Sequence, residues 1–280
     1  MKLHLLGTGT PILDAARPAS TALLVELDSA NLLFDAGRGV TMQLLKQGKS
    51  PLELDAIFIT HHHYDHICDL GEVLLAIWHN GRSHPLPIYG PMGTSSIVAA
   101  LLGHVYSRDI AFTQAHEPDT LHVHDLFQVI DISPGWSLHS DYGYISAEKM
   151  SHGDNLGLSA EQWLCLGYRL EAENKVLAIA GDTVACSGLN KVAQDADALV
   201  LSCYLAEAEV AALHSEALVH YIIASSGQVG QIASQANVKS LILTHFRRKS
   251  AEMMASLADD VRATFYGSLH IAEDLMVIEI

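Results

Sequence analysis

The chain has 280 residues, 49% of them hydrophobic and 17% charged, which excludes a disordered protein and leaves ample length for a sizeable core. Its 16 Lys and Arg against 32 Asp and Glu give a formal net charge of −16, which on average repels phosphate backbones, so nucleic acid would need a local basic patch. Cys68, Cys165, Cys186 and Cys203 are scattered without a C-x-x-C, which excludes a disulfide framework or a zinc ribbon.

Leu3–Leu6 reads as a strand, followed by Gly7-Thr8-Gly9-Thr10-Pro11. Ile12 breaks G-x-G-x-x-G, so a tight turn is expected there and not a dinucleotide cradle. The apolar run before it is too short for a signal peptide, and no apolar stretch approaches bilayer length, so a cytoplasmic protein without a membrane partner is expected. Thr21–Leu27 and Asn31–Phe34 read as strands around the turn Asp28-Ser29-Ala30. Asp35-Ala36-Gly37-Arg38-Gly39 then opens a helix over Val40–Gln47, which Gly48 ends. Leu54–Thr60 is a strand, and Leu70–His79 has helical spacing. Leu86–Tyr89 is a strand, and Thr94–Tyr106 is helical. From Gly103 to Asp125 the pattern is irregular, and His104, His116, His122 and His124 read as surface residues.

Phe127–Ile132, Tyr142–Met150, Trp163–Leu170 and Val176–Ala180 read as strands. An acidic helix near Asn190–Asp197 precedes the strand Leu199–Leu201. Helical patterns over Ala206–Tyr221, Gln228–Ala236 and Ala251–Thr264 alternate with the strands Leu241–Thr244 and Leu275–Ile280. Strands and helices alternate throughout without a linker, which predicts one α/β domain over residues 1–280, built from two related halves.

The chemistry concentrates where the strand Ala56–Ile59 turns polar, at Thr60-His61-His62-His63-Tyr64-Asp65-His66-Ile67-Cys68-Asp69. Imidazole nitrogens and carboxylate oxygens are the ligands that zinc and similar ions accept. Alternation places His61 and His63 on one side and His62 on the other, while Asp65 and His66 diverge toward a second position. One ion rarely takes four ligands from six consecutive residues, so two ions are expected. Three more donors stand where apolar strands turn polar: His152, Asp182 after Gly181, and His245 after Thr244. Together with H-x-H-x-D-H they complete a two-ion set. Cys68, two residues past His66, is expected to be a small buried residue.

This order of motifs resembles the metallo-β-lactamase-fold hydrolases over nearly the whole chain. Leu6-Gly7-Thr8-Gly9-Thr10, Phe34-Asp35-Ala36-Gly37-Arg38-Gly39 and Tyr89-Gly90-Pro91-Met92-Gly93 are similar to the branch that holds ribonuclease Z and its arylsulfatase-like relatives. The resemblance implies a four-layer αβ/βα sandwich. It implies one metal held by His61, His63 and His152, a second held by Asp65, His66 and His245, and Asp182 between them. Two departures stand out. The His-Glu pair of ribonuclease Z falls on Leu201 and Ser202, and a further family histidine falls on Ile223. There is also no long, basic, glycine-rich arm to clamp tRNA.

The expected activity is hydrolysis of a small anionic ester, a phosphodiester or a sulfate ester, by a hydroxide bridging two divalent ions. Zinc is expected, with manganese or iron as alternatives. Sharing a water between two ions lowers its pKa from about 16 toward 7. Asp65 is the expected catalytic proton acceptor, and Asp35 and Asp69 are candidates to fix ligand tautomers. Arg82, Arg247 and Arg248 could meet the anion, with solvated surface roles as the competing reading. The alternatives are a ribonuclease Z-type endonuclease for tRNA 3′ ends, a di-iron redox protein, and a metal-binding scaffold without turnover. A homodimer stays open.

Overall fold

A computed structural model describes residues 1–117 and 121–280. The first sheet contains β1 (Lys2–Gly7), β2 (Ala22–Glu26), β3 (Asn31–Phe34), β4 (Ala56–Phe58), β5 (Leu86–Pro91) and β6 (Phe127–Ile132). The second contains β7 (Ser137–Ser140), β8 (Gly143–Met150), β9 (Cys165–Ala172), β10 (Lys175–Ile179), β11 (Ala198–Ser202), β12 (Ser240–Thr244) and β13 (Ser268–Ile271). The last strand, β14 (Met276–Glu279), returns to the first sheet beside β1. The orders are β14-β1-β2-β3-β4-β5-β6 and β13-β12-β11-β10-β9-β8-β7. In each sheet one half is antiparallel and the other parallel, and the parallel strands are joined by helical crossovers.

The layering follows from side-chain alternation. In β4, Ala56 and Phe58 face a core shared by the two sheets, with Leu23, Phe34, Ile145, Tyr168 and Val200. Ile57 faces the other way, onto Val73, Leu74, Ile77 and Trp78 of the helix Leu70–His79. On the far sheet Leu199, Leu201 and Leu243 meet Leu257 and Val261 of the helix Ala251–Arg262. Helices, sheet, sheet and helices form the expected four-layer αβ/βα sandwich. Between the sheets Phe34 stacks on Phe58 at 5.0 Å, Phe58 on Tyr89 at 5.1 Å, and the Tyr168 ring meets both edge-on. The Tyr168 hydroxyl donates to the Ile59 carbonyl at 2.6 Å, and Leu166 N–H donates to the Thr60 carbonyl at 2.9 Å. These bonds hold the second sheet to the chain leaving β4.

Several expectations are corrected. The stretch Gly103–Asp125 carries the helices Ser107–His116 and Val123–Leu126, and its residues 118–120 lie outside the described ones. Thr94–Tyr106 is an α-helix only to Ala100 and widens to a π-helix over Leu101–Val105. The helix expected at Asn190–Asp197 runs from Ser187 to Ala193, because the Cys186 sulfur accepts from Leu189 N–H and starts it early. Ala206–Tyr221 is two helices, Glu207–Leu213 and Glu216–Tyr221, parted where His214 turns left-handed at φ 49°. β7 and β13 were not expected. Both are short edge strands paired on one side, so neither needs the apolar signature of a buried strand. Cys68 is exposed. Arg82 is buried, and its guanidinium donates to the carbonyls of Leu52, Leu54, His84 and Pro85. It is neither solvated nor free to meet a substrate. Among the described residues no helix is long and apolar enough to cross a membrane.

Candidate metal centre

The site forms where β4, β8, β10 and β12 end on one edge of the sandwich. After Phe58 the chain stays extended to His63 and then makes one helical turn, Tyr64–Ile67. Alternation turns buried His61 and exposed His63 to the site and half-buried His62 to the opposite side, where its Nε2 lies 2.8 Å from Thr94 Oγ1. The helical turn buries Asp65 and His66 behind them. Ser20 Oγ donates to the Asp65 carbonyl at 2.7 Å, and Ala36 N–H to the His66 carbonyl at 2.7 Å, which secures the turn. His152 and Asp182 are brought together by an isolated bridge between Ser151 and Val184. His245 takes a left-handed backbone at φ 62°, and Phe246 N–H then bonds the Thr8 carbonyl at 2.9 Å.

All seven expected donors converge, in two groups. His61, His63, His152 and Asp182 form one, and Asp65, His66 and His245 the other, with the donor atoms of each group within 4.8 Å of one another. His63 Nδ1 lies 3.0 Å from His61 Nε2 and 3.1 Å from His152 Nε2. His245 Nε2 lies 3.2 Å from Asp65 Oδ2, and His66 Nε2 lies 3.7 Å from that oxygen. Asp182 Oδ2 faces both groups, 3.4 Å from His245 Nε2, 3.8 Å from His66 Nε2 and 3.9 Å from His152 Nε2. Tetrahedral ligands about 2.1 Å from a zinc ion stand about 3.4 Å apart, so these separations suit a small cation.

Neighbouring groups set which nitrogen is free. The Asp35 carboxylate accepts from Thr60 N–H at 2.7 Å, from the Thr60 hydroxyl at 2.8 Å and from His66 Nδ1 at 2.7 Å. The Thr60 hydroxyl, its proton spent on Asp35, accepts from His61 Nδ1 at 3.0 Å. His152 Nδ1 donates to the Ile222 carbonyl at 2.5 Å. His61 and His152 thus keep their Nε2 lone pairs for the site, and His66 is oriented with Nε2 toward it. Ser202 Oγ donates to Asp182 Oδ1 at 2.6 Å and leaves Oδ2 facing the histidines. Asp69, the other expected tautomer-fixing group, instead accepts from Gly39 N–H at 2.5 Å in the neighbouring loop.

Electrostatics favour a bound cation. Burial, reinforced by the other histidines, pushes His61 far below the ordinary histidine range and His63 to about 4, so both are neutral. Burial opposes ionisation of Asp182 and Asp65, but the facing histidines and hydrogen bonds outweigh it and lower both. Burial likewise opposes a charged His66, but Asp35 foremost, then Asp182 and Asp65, raise it to about 9. The two ionised carboxylates and the neutral His61 and His63 already have the forms a metal requires, whereas His66, held protonated by the carboxylates, would release a proton when an ion binds. His66 Nε2, which faces Asp65 and Asp182, is buried without a hydrogen-bond partner. Orphaned buried donors of this kind are expensive unless a ligand completes them, so the residues present fit a divalent ion.

Thr60, Ser202 and the Trp163 indole, which donates to the His152 carbonyl at 2.7 Å, were not anticipated as supports for the site. Thr60 had a readable signal, a hydroxyl between the strand and the first histidine. Trp163 had none.

A family model described as "Beta-lactamase superfamily domain" matches residues 30–246. Ribonuclease Z of Mycolicibacterium gilvum is 32% identical over 100% of this chain and 96% of its own length. The metallo-beta-lactamase fold protein YhfI from Bacillus subtilis aligns over 99% of this chain and 98% of that one, with a TM-score of 0.74 and 22% identity. Human tRNase Z, short form, aligns over 100% and 99%, with a TM-score of 0.70 and 23% identity. The chain belongs to the β-lactamase superfamily, among its metallo-β-lactamase-fold, metal-dependent hydrolases and alongside the ribonuclease Z proteins.

Proposed function

We propose that the protein hydrolyses a small anionic ester, a phosphodiester or sulfate ester, with two divalent ions, zinc the first choice. The observation that carries the reading is the pair of donor groups facing one carboxylate oxygen, Asp182 Oδ2. His61, His63 and His152 would hold one ion, Asp65, His66 and His245 the other, and Asp182 would serve both. When bound, the ions supply Lewis acidity at the scissile group and make a water acidic near neutral pH.

The chain's own residues do the rest. Asp65, whose Oδ2 faces His245 Nε2 at 3.2 Å and His66 Nε2 at 3.7 Å, is the residue that would take a proton from water. Asp35 and Thr60 hold His66 and His61 in one tautomer and orientation. The buried side chain of Ile223, with Ile222 and Leu218, walls the site and limits water. Leu201 lies in the outer core, and Ser202 acts on Asp182. Neither replaces the missing family His-Glu pair.

A second reading, RNA cleavage of the ribonuclease Z type, is favoured by the 32% identity to a protein of that name over the full chain. The net charge of −16 weighs against it. The test loads the protein with zinc or manganese and compares an aryl phosphodiester, an aryl phosphomonoester, an aryl sulfate and a tRNA precursor. Turnover of the diester or sulfate, abolished in Asp65→Ala, supports the first reading. Salt-sensitive cleavage of the precursor alone would replace it with the second.

A further inference from the structure

Beside the donors lies a cleft whose lining is almost wholly apolar. A cavity of about 260 Å³ is walled by Leu156, Leu158, Trp163 and Ile222, with His63 and His152 at its inner end. A second, of about 170 Å³, shares His63, His152 and Ile222 and continues past Tyr204, Leu218 and Ile223 to Asp182 and His245. Neither contains a lysine or arginine. A cavity of roughly 150 Å³ already accommodates a benzene ring.

The walls are built. The Trp163 indole is fixed by its bond to the His152 carbonyl, and its ring lies 4.5 Å from that of His63. Leu156 is 60% exposed and Leu158 49%, yet both are held at the mouth of the cleft. Gly153 and Gly157, at φ 86° and 73°, bracket the short turn Asp154–Leu156 that presents Leu156, and Leu158 follows directly after Gly157. The Gly153 turn also packs on the site: its N–H donates to the Tyr221 carbonyl at 2.9 Å, next to the Ile222 carbonyl that holds His152.

We propose that this cleft is the subsite for an uncharged alkyl or aryl arm of the substrate. The ester would then carry its charge at the reacting group alone, where the donors stand. The hydrolysed bond rests on the reading above, whereas the cleft does not. A polynucleotide laid along the cleft would meet no lysine or arginine among its lining residues, Arg247 standing behind the wall 5.7 Å from the Tyr204 ring.

The test is calorimetric binding of methyl-, butyl- and hexylphosphonate to the zinc-loaded protein. Each buried methylene should tighten binding about fourfold until the cleft is full. Leu156→Ser with Leu158→Ser should reduce this to less than about twofold, while Phe112→Ser, 71% exposed on the helix Ser107–His116, should leave it unchanged. A second readout needs no metal. The chain has three tryptophans, and Trp163→Phe identifies the Trp163 indole N–H resonance. Benzyl alcohol should move that resonance saturably in the metal-free protein, and methanol should not.

A flat phosphonate series overturns the proposal whatever the indole shows. A rising series with an unmoved Trp163 resonance places the arm elsewhere and overturns it as well. A rising series with a moving resonance, but no turnover of any ester, sustains the cleft and rejects the hydrolytic reading instead.

Discussion

Asp35→Asn should weaken metal binding at both donor groups, although Asp35 is a ligand in neither. The carboxylate accepts three hydrogen bonds and is 2% exposed. Asparagine has the same shape and tolerates the left-handed backbone that Asp35 adopts at φ 60°, so the fold should persist. Its amide, however, offers one oxygen and one NH₂ where two acceptor oxygens stood. With the oxygen kept on Thr60 N–H, the NH₂ faces His66 Nδ1 and the Thr60 hydroxyl. His66 must then accept at Nδ1 and carry its proton on Nε2. The Thr60 hydroxyl, now accepting from the amide, turns its own proton to His61 Nδ1, which forces the same exchange there.

One substitution therefore blocks the ligating nitrogen in each group. Loss of an orienting partner typically costs 10–100-fold in metal affinity, or about 1.4–2.7 kcal/mol. The assay is zinc competition with a chromophoric chelator, resolved into two equivalents, beside urea unfolding of the metal-free proteins. The expected result is two weakened equivalents with a cooperative unfolding transition retained. Two equivalents within about twofold of wild type would refute the relay from Asp35 through Thr60 to His61.

Four further outcomes are expected. Gly37→Ala would place a Cβ 2.3 Å from the Asp65 carbonyl and 2.6 Å from both Ser20 Oγ and the Thr21 carbonyl. It should lower stability by about 1–3 kcal/mol and weaken zinc binding, both measurable in one chelator titration and melt. Tyr168→Phe removes the buried bond to the Ile59 carbonyl and should cost about 1–3 kcal/mol in urea unfolding, with zinc stoichiometry unchanged. Arg82→Met orphans four carbonyls and should cost about 2–3 kcal/mol, while turnover of the folded protein stays within about twofold, since no substrate contact is lost. Lys49 above all, with His4, outweighs burial and holds Glu26 below the usual carboxylate range. Its contribution is therefore present above the unfolded carboxylate pKa and fades as pH falls through the lower folded value. The pair is partly solvated, so Glu26→Gln should cost less than about 1 kcal/mol at pH 7 and nothing at pH 2 by urea titration.

The site was legible where local geometry alone places a donor. Period-two alternation, written in consecutive residues, placed His61 and His63 together and let Asp65 and His66 diverge; the helical turn Tyr64–Ile67 that carries the latter pair was not read. His152, Asp182 and His245 were legible because each ends an apolar run, and apolar runs end at the same sheet edge. What the reading lost was contact between distant segments. Arg82 finds its carbonyls on the turns at 51–54 and 84–85, whose backbone directions no side-chain pattern records. Trp163 meets His63 and His152 only because two sheets close on each other. β7 and β13 stayed hidden because an edge strand asks so little of its residues.

Three chain reversals at the site share one feature that opposes local preference. Asp35 directly follows β3, Gly181 lies two residues past β10, and His245 directly follows β12, each with φ near +60°. At Gly181 glycine removes the penalty, and the space is needed, since a Cβ there would come within 3.0 Å of Thr60 Cβ. At Asp35 and His245 the penalty, roughly 1–2 kcal/mol each, is left standing. Glycine would remove it but would also remove the carboxylate that holds His66 and the imidazole that meets Asp65. The strain persists at the two positions where a side chain is indispensable and is absent at the one where it is not. Six other non-glycine residues among the described ones, from Glu173 to Leu275, also take a positive φ, so the backbone strain alone does not mark the site; the function of the side chain explains why glycine is absent at Asp35 and His245.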